Sequence, residues 1–265
     1  MERNNYRSPR HKSNERSFVG GEQIEGRQAV SELLKASKRR VHELLISEDY
    51  IKSSILRKIY VDAAEMGITT KRVSKSELSA RAGTDAHQGV IALAEPIPAT
   101  SLNQLIKSSF ELSDNPLLLL LDSISDPYNV GSIIRSSLAA GATGVILCEH
   151  ESAGITPAAA KAAAGAIEYM PLAKVSRAPA AISMLKEKGF WSVGLDARGE
   201  QYLDKLPILA MPLVLVLGSE GHGISNLAKG RCDVLAKIEM FGPVESLGVS
   251  AAAAVACFTV AGKRH

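Results

Sequence analysis

The sequence predicts an α/β protein of two units, the second a mainly parallel sheet covered by helices on both faces. Three observations carry this. From Leu117 onward, strand-sized apolar runs alternate with helical patterns, the order that parallel strands joined by crossover helices require. Residues 20–95 carry a smaller α/β pattern of their own. Between them, Glu95-Pro-Ile-Pro-Ala-Thr breaks both kinds of order, because paired prolines interrupt ladders and helices alike. A length of 265 residues suits two domains, and an apolar share of 46% can fill their cores.

Taken in order, residues 1–19 are polar and basic without periodicity, and are expected to form a disordered arm. Ala29, Val30, Leu33 and Leu34 share one helical face. Strands are expected at Val41–Ser47, Ile68–Val73 and Gly89–Ala94. A helix is expected over Ile51–Met66, stopped by Gly67, with a short one N-capped by Ser76 and running to Ala82. Residues 96–115 read as a linker carrying a short helix around Leu102–Phe110. In the second unit, 116–265, strands are expected at Leu117–Leu121, Gly144–Leu147, Phe190–Leu195, Leu213–Leu217 and Val234–Ile238. Helices are expected at Val130–Ala140, Thr156–Ala164, Pro179–Lys188, Ile224–Lys229 and Ser246–Ala261.

Composition excludes several classes. The longest apolar stretches, Pro116–Leu121 and Pro212–Leu217, are strand-sized and too short to span a membrane. No secretory signal is recognisable at the start, so a cytoplasmic protein is expected. Cys148, Cys232 and Cys257 lie far apart and read as buried thiols, giving neither a disulfide framework nor a metal site. A net charge of +3 is too small to establish a nucleic-acid partner. Lys35, Lys38, Arg39 and Arg40 do cluster at the end of the first helix, where a helix C-terminus favouring cations and a contact to RNA explain them equally well.

Three segments could carry chemistry. Asp122-Ser-Ile-Ser-Asp-Pro-Tyr-Asn129-Val-Gly-Ser-Ile-Ile-Arg135 leaves the end of a buried strand and opens a helix, and ligands of open α/β sheets gather at strand carboxyl ends. Turn chemistry accounts for Asp126-Pro127 but poorly for Arg135 among Ile133, Ile134 and Leu138. Gly218-Ser219-Glu220-Gly221-His222-Gly223 directly follows another strand. Its glycines let backbone approach a ligand, although their spacing fits neither a GxGxxG fingerprint nor a P-loop; a plain strand-to-helix turn is the other reading. Ile238-Glu-Met240-Phe-Gly-Pro-Val-Glu-Ser246-Leu247-Gly248 then leads into a helix of small residues, suited to close packing or a subunit interface.

In this order and on these elements, the three segments resemble the SpoU–TrmH branch of the SPOUT RNA methyltransferases over residues 117–262. The resemblance implies a trefoil-knotted methyltransferase domain, S-adenosylmethionine as cofactor and a homodimer in which one subunit completes the partner's site. It implies a cofactor site at Gly218, Ser219, Glu220, Gly221, Ile238, Met240 and Leu247, with Asn129, Arg135 and Ser246 around the reacting ribose. Gly26-Arg27-Gln-Ala-Val-Ser-Glu32-Leu-Leu and His87-Gln88-Gly89-Val90 are similar to the N-terminal RNA-binding domain of bacterial 23S rRNA guanosine-2′-O-methyltransferases, which looks like the kink-turn-binding ribosomal proteins. On that basis Arg27, Glu32, His87 and Gln88 are expected to contact RNA, with Arg39 and Arg40 of the basic cluster beside them, although a histidine before a strand is more often a turn residue.

The expected reaction is methylation of a ribose 2′-hydroxyl in RNA, a guanosine of 23S rRNA by resemblance, with no membrane and no metal partner. Arg135 is read as a phosphate and hydroxyl clamp, because a guanidinium stays protonated and is a poor base. Gly248 stands where the family usually carries Asn, and Glu239 where proline is common. Glycine brings no side-chain amide, and inside a helix it costs roughly 1 kcal/mol relative to alanine. The alternative function is therefore a weakly active or non-catalytic RNA-binding paralogue. A nucleotide-binding oxidoreductase is disfavoured by the missing glycine fingerprint.

Overall fold

A computed structural model describes residues 20–149 and 152–264. The arm expected at 1–19 lies outside the described residues.

The first unit contains β1 (Gln23–Glu25), α1 (Arg27–Ala36), β2 (Val41–Ser47), α2 (Ser54–Glu65), β3 (Thr69–Val73), α3 (Lys75–Arg81) and β4 (Val90–Ala94). Its sheet has the order β1-β4-β2-β3, with β2 and β3 parallel and the other pairs antiparallel. β1 was not expected, since three residues are too few to show a period. Local capping moves two helix starts. Ser53 caps α2 by accepting the Leu56 amide at 3.5 Å, so the helix begins three residues after Ile51, behind a 3-10 turn over Glu48–Lys52. Ser74, and not Ser76, caps α3 through the Glu77 amide at 3.2 Å.

The second unit contains α4 (Leu102–Leu112), β5 (Leu117–Asp122), α5 (Pro127–Ala139), β6 (Gly144–Cys148), α6 (Pro157–Ala163), β7 (Leu172–Val175), α7 (Ala178–Glu187), β8 (Trp191–Leu195), β9 (Gln201–Tyr202), β10 (Leu213–Gly218), α8 (Asn226–Lys229), β11 (Val234–Lys237) and α9 (Val249–Gly262). The sheet order is β7-β6-β5-β10-β8-β11-β9, and every pair is parallel. The short edge strands β7 and β9 escaped the sequence reading.

Alternation along the strands sorts the core into two layers. Leu117, Leu119, Leu121, Leu213, Leu215 and Leu217 face α5, α6 and α9, whereas Leu118, Leu120, Val214 and Val216 face α4, α7 and α8. Burial on both faces explains why β5 is an unbroken leucine run. α4 buries Leu102, Leu105 and Ile106 in the second layer and starts with a Ser101–Gln104 capping box, so much of the expected linker belongs to the second unit's core.

The first layer continues without a break into the first unit. Ile24, Val30, Leu33 and Ile46 join the same buried cluster as Ile155, Ala163 and Ile167. Close backbone approach also shapes this layer. A Cβ on Gly131 of α5 would lie 2.2 Å from the Ala159 carbonyl oxygen and 2.8 Å from the Ala162 Cβ. Gly131→Ala is therefore expected to lower stability by about 1–3 kcal/mol through overpacking, read as a lower denaturation midpoint in urea.

Candidate active site

The strands β8, β10 and β11 lie side by side, and their carboxyl ends open on one cavity of about 640 Å³. Small-molecule sites occupy roughly 300–1,000 Å³. All seven residues expected to hold a cofactor line this cavity, namely Gly218, Ser219, Glu220, Gly221, Ile238, Met240 and Leu247, and Ser246 lines it with them. Segments about twenty residues apart in sequence thus meet in space.

The glycine-rich loop is tight because it folds back on its own strand end. Ser219 and Gly223 form an isolated antiparallel bridge, with the Gly223 amide donating to the Ser219 carbonyl at 2.8 Å. Gly221 and Gly223 have φ of 85° and 67°, values that favour glycine. The buried Asp122 carboxylate at the end of β5 holds the loop's far end by accepting the Ser225 amide at 2.9 Å. The first and second motifs are therefore joined by a hydrogen bond at the mouth of the sheet.

Glu220 joins the second motif to the third. Its Oε1 accepts the Val249 amide at 3.3 Å and so caps α9, whose N-cap residue Gly248 has no side chain to offer. Gly248 lies outside the helix, with φ −58° and ψ 149°, so the mid-helix glycine penalty expected from sequence does not apply. A Cβ there would meet only Glu220 Oε1, at 3.3 Å, and that side chain is flexible. Gly248→Asn is accordingly expected to fold, to take over the cap and to release the Glu220 carboxylate into the cavity. Stability should change by less than about 0.5 kcal/mol, as checked by thermal unfolding.

The sequence reading missed the segment Leu195–Arg198, which closes the cavity's other side together with Lys229 and Ala252. Its position at the carboxyl end of a parallel strand was the available signal. Asp196 accepts the Arg198 amide at 2.9 Å and pairs with Lys229 at 2.5 Å, which holds its carboxyl below the usual range, mainly through the Lys229 contact.

Asn129 and Arg135 do not line this cavity. Asn129 is half-buried in the first turn of α5, at the same end of the sheet, since Asp122 and Gly218 are register partners. Arg135 is exposed, and its side chain forms no hydrogen bond or ion pair with any other described residue. One chain therefore assembles a ligand cavity that neither Asn129 nor Arg135 lines.

The residues expected to contact RNA separate into three places. Arg27, His87 and Gln88 meet at the start of α1. The Gln88 side chain accepts the Arg27 amide at 3.0 Å, supplying the cap that Gly26 lacks, and its carbonyl accepts the Arg27 guanidinium at 3.0 Å. His87 Nδ1 accepts the Gly89 amide at 3.1 Å, and its Nε2 lies 3.2 Å from Ser79 Oγ. Arg40 is exposed beside Lys38 and His42 in a cleft of about 500 Å³ at the opposite end of α1. Glu32 and the Arg39 guanidinium face the second unit, where Arg39, which also lines that cleft, is buried against Glu168 and donates to the carbonyls of Gly21 and Glu95. Its donors are thus directed at groups inside the protein.

The cysteines are free, and burial pushes each thiol up to about 12, which keeps them protonated near neutrality. Cys232 is half-buried, not fully buried as expected. Among the described residues, no group of three His, Cys, Asp or Glu could hold a metal ion, and no helix is long and apolar enough to cross a membrane.

The fold has counterparts among known proteins. The SpoU rRNA Methylase family matches residues 116–258, and the RNA 2′-O ribose methyltransferase substrate-binding family matches 23–99. YacO of Bacillus subtilis, named as a TrmH family tRNA/rRNA methyltransferase, is 38% identical over 240 residues, spanning 91% of this chain and 95% of its own. The structure of the SpoU methyltransferase AviRb from Streptomyces viridochromogenes, in complex with AdoMet, superposes with a TM-score of 0.75 at 22% identity, covering 91% of this chain and 90% of its own. An RNA methyltransferase of the TrmH family from Porphyromonas gingivalis gives 0.69 at 26% identity, covering 90% and 88%. With the family spanning the unit that builds the cavity and the substrate-binding family spanning the unit packed against it, this chain belongs to the SpoU/TrmH family of RNA methyltransferases.

Proposed function

We propose that the protein transfers a methyl group from S-adenosylmethionine to a ribose 2′-hydroxyl of RNA, with a guanosine of 23S ribosomal RNA as the target. The convergence of seven expected cofactor residues on one cavity carries this reading. The cavity suits the ligand chemically. Leu195, Leu217, Ile238 and Leu247 offer apolar surface for a purine, the Gly218–Gly223 backbone allows close approach, and Glu220 and Glu245 provide carboxylates for a cationic ligand.

When bound, the cofactor supplies an electrophilic methyl on a sulfonium. Holding the ribose oxygen in line with it supplies much of the acceleration, since orientation alone removes ~7–11 kcal/mol of barrier. Arg135 clamps phosphate and stabilises the negative charge that develops on the 2′-oxygen, whose proton leaves late to solvent. Asn129 and Ser246 orient the ribose.

The catalytic arrangement is completed by a second copy of the chain. α9 is polar only at Ser250 and Thr259, and its residues Ala251, Val255, Phe258 and Gly262 form an exposed stripe at helical spacing. Phe241, between cavity-lining residues Met240 and Glu245, is 91% exposed. Such surface belongs in an interface, and in this reading the Arg135 of a second copy serves the cavity. The same reading includes a trefoil knot, in which the C-terminal segment threads through a loop.

The RNA-facing surface comprises Arg27, His87 and Gln88 at one end of α1 and Arg40 with Lys38 and His42 at the other. Arg39 and Glu32 are assigned to the junction between units. Incubating ribosomal RNA with the protein and methyl-deuterated S-adenosylmethionine, then digesting to nucleosides, tests the reaction. Label in 2′-O-methylguanosine is expected; label only on a base, or none, would contradict it. Tight cofactor binding without transfer would favour the non-catalytic paralogue.

A further inference from the structure

We propose that Arg39, Glu168, Tyr169 and Glu32 form a clamp that fixes the first unit against the second and so determines which ribose reaches the cavity. The second half of this statement rests on the ribose-methylation reading above. Arg39 leaves the loop after α1, and Glu168 sits on a 3-10 turn between α6 and β7. Their side chains are 5% and 2% exposed. Arg39 Nε donates to Glu168 Oε2 at 3.0 Å and Nη2 to Oε1 at 2.6 Å, while Nη1 reaches the carbonyls of Gly21 and Glu95. A planar, bidentate fork fixes direction as well as distance.

Beside it, the Tyr169 hydroxyl donates to Glu32 Oε2 at 2.8 Å, and the Lys38 ammonium lies 5.4 Å from the Tyr169 ring centre. Gly165 permits this approach: its φ is 92°, and a Cβ there would lie 2.3 Å from the Glu32 Cβ. Both units also share one apolar cluster.

A buried ion pair adds little net stability compared with an apolar pair of like volume, yet it cannot shift without leaving a charge uncompensated. Its contribution here is to geometry. Recognition of RNA on the first unit then becomes selection of one nucleotide at the second, because transfer tolerates misplacement of the reacting atoms poorly.

The test compares wild type with the Arg39→Met/Glu168→Leu/Tyr169→Phe variant, in which an apolar pair replaces the ions so that the chain still folds. Calorimetric unfolding, cofactor and RNA titrations, and a map of ribose methylation are measured. Wild type should unfold in one transition and methylate one nucleotide. In the variant, KM for RNA should change little, kcat at that nucleotide should fall by tenfold to about 100-fold, and methyl groups should appear on neighbouring riboses. An unchanged methylation map at wild-type kcat would overturn the clamp's role in selection. Two separate unfolding transitions in wild type would overturn the clamp itself. Absence of ribose methylation by wild type would count against the underlying reaction, while the unfolding measurement would still decide whether the clamp holds.

Discussion

Replacement of Gly218 by alanine is expected to abolish cofactor binding and to destabilise the fold. A Cβ at this position would lie 2.0 Å from the Gly223 carbonyl carbon, 2.1 Å from the Ile224 nitrogen and 2.2 Å from the Gly223 oxygen. All three are backbone atoms, so no side-chain rotation relieves the clash. The loop cannot easily swing aside either, because the Ser219–Gly223 bridge closes it and Asp122 holds its end through the Ser225 amide. Overpacking of this kind costs about 1–3 kcal/mol. Opening the loop also displaces Glu220, which caps α9 from across the cavity. An affinity loss of at least about 100-fold, equivalent to about 2.8 kcal/mol, is expected in calorimetric titration with S-adenosylmethionine. Wild-type affinity in this variant would remove the glycine loop from the binding site.

The second large effect concerns Arg135, and here the expected signature is different. Arg135→Ala should leave cofactor affinity within about twofold, since its side chain does not line the cavity. Single-turnover methyl transfer should nevertheless fall by about 10²–10³-fold, the range for removing one charge-stabilising donor. Complementation separates action within a chain from action across a dimer. Co-expression of Arg135→Ala with Leu247→Trp, which fills the cavity, should produce mixed dimers holding one intact cavity and one intact arginine. Activity well above that of either parent is expected if the arginine serves the partner's cavity. Activity no higher than the sum of the parents would place both groups in the same chain.

The parts of the molecule that were legible in the sequence share a physical cause. Leucine runs such as Leu117–Leu121 and Leu213–Leu217 have one reading when both faces of a parallel sheet are covered, and β5 and β10 extend these runs by only one residue, Asp122 and Gly218. Short edge elements such as β1 and β9 carry too few residues to register a period, and they depend on tertiary pairing with β4 and β11. Helix starts were misjudged where two serines competed, as with Ser74 and Ser76, because cap choice depends on backbone direction beyond the helix.

The cavity residues were legible through family resemblance joined to the rule that ligands gather at strand carboxyl ends. Leu195–Arg198 was not, since a strand end without glycines or a motif looks like any other loop. The roles of Arg39 and Gln88 were hidden for another reason. An arginine in a basic cluster resembles an RNA contact until its partner Glu168, 129 residues away, is brought beside it. Gln88 in turn caps a helix that begins 61 residues earlier, a long-range contact that local spacing cannot reveal.

A diffraction structure of the protein with S-adenosylmethionine would show where the cofactor sits. The ligand should occupy the cavity at the carboxyl ends of β8, β10 and β11, in contact with Gly218, Ile238 and Leu247. Ligand bound away from these residues, or a cavity left empty at saturating concentration, would mean that the cofactor site lies elsewhere.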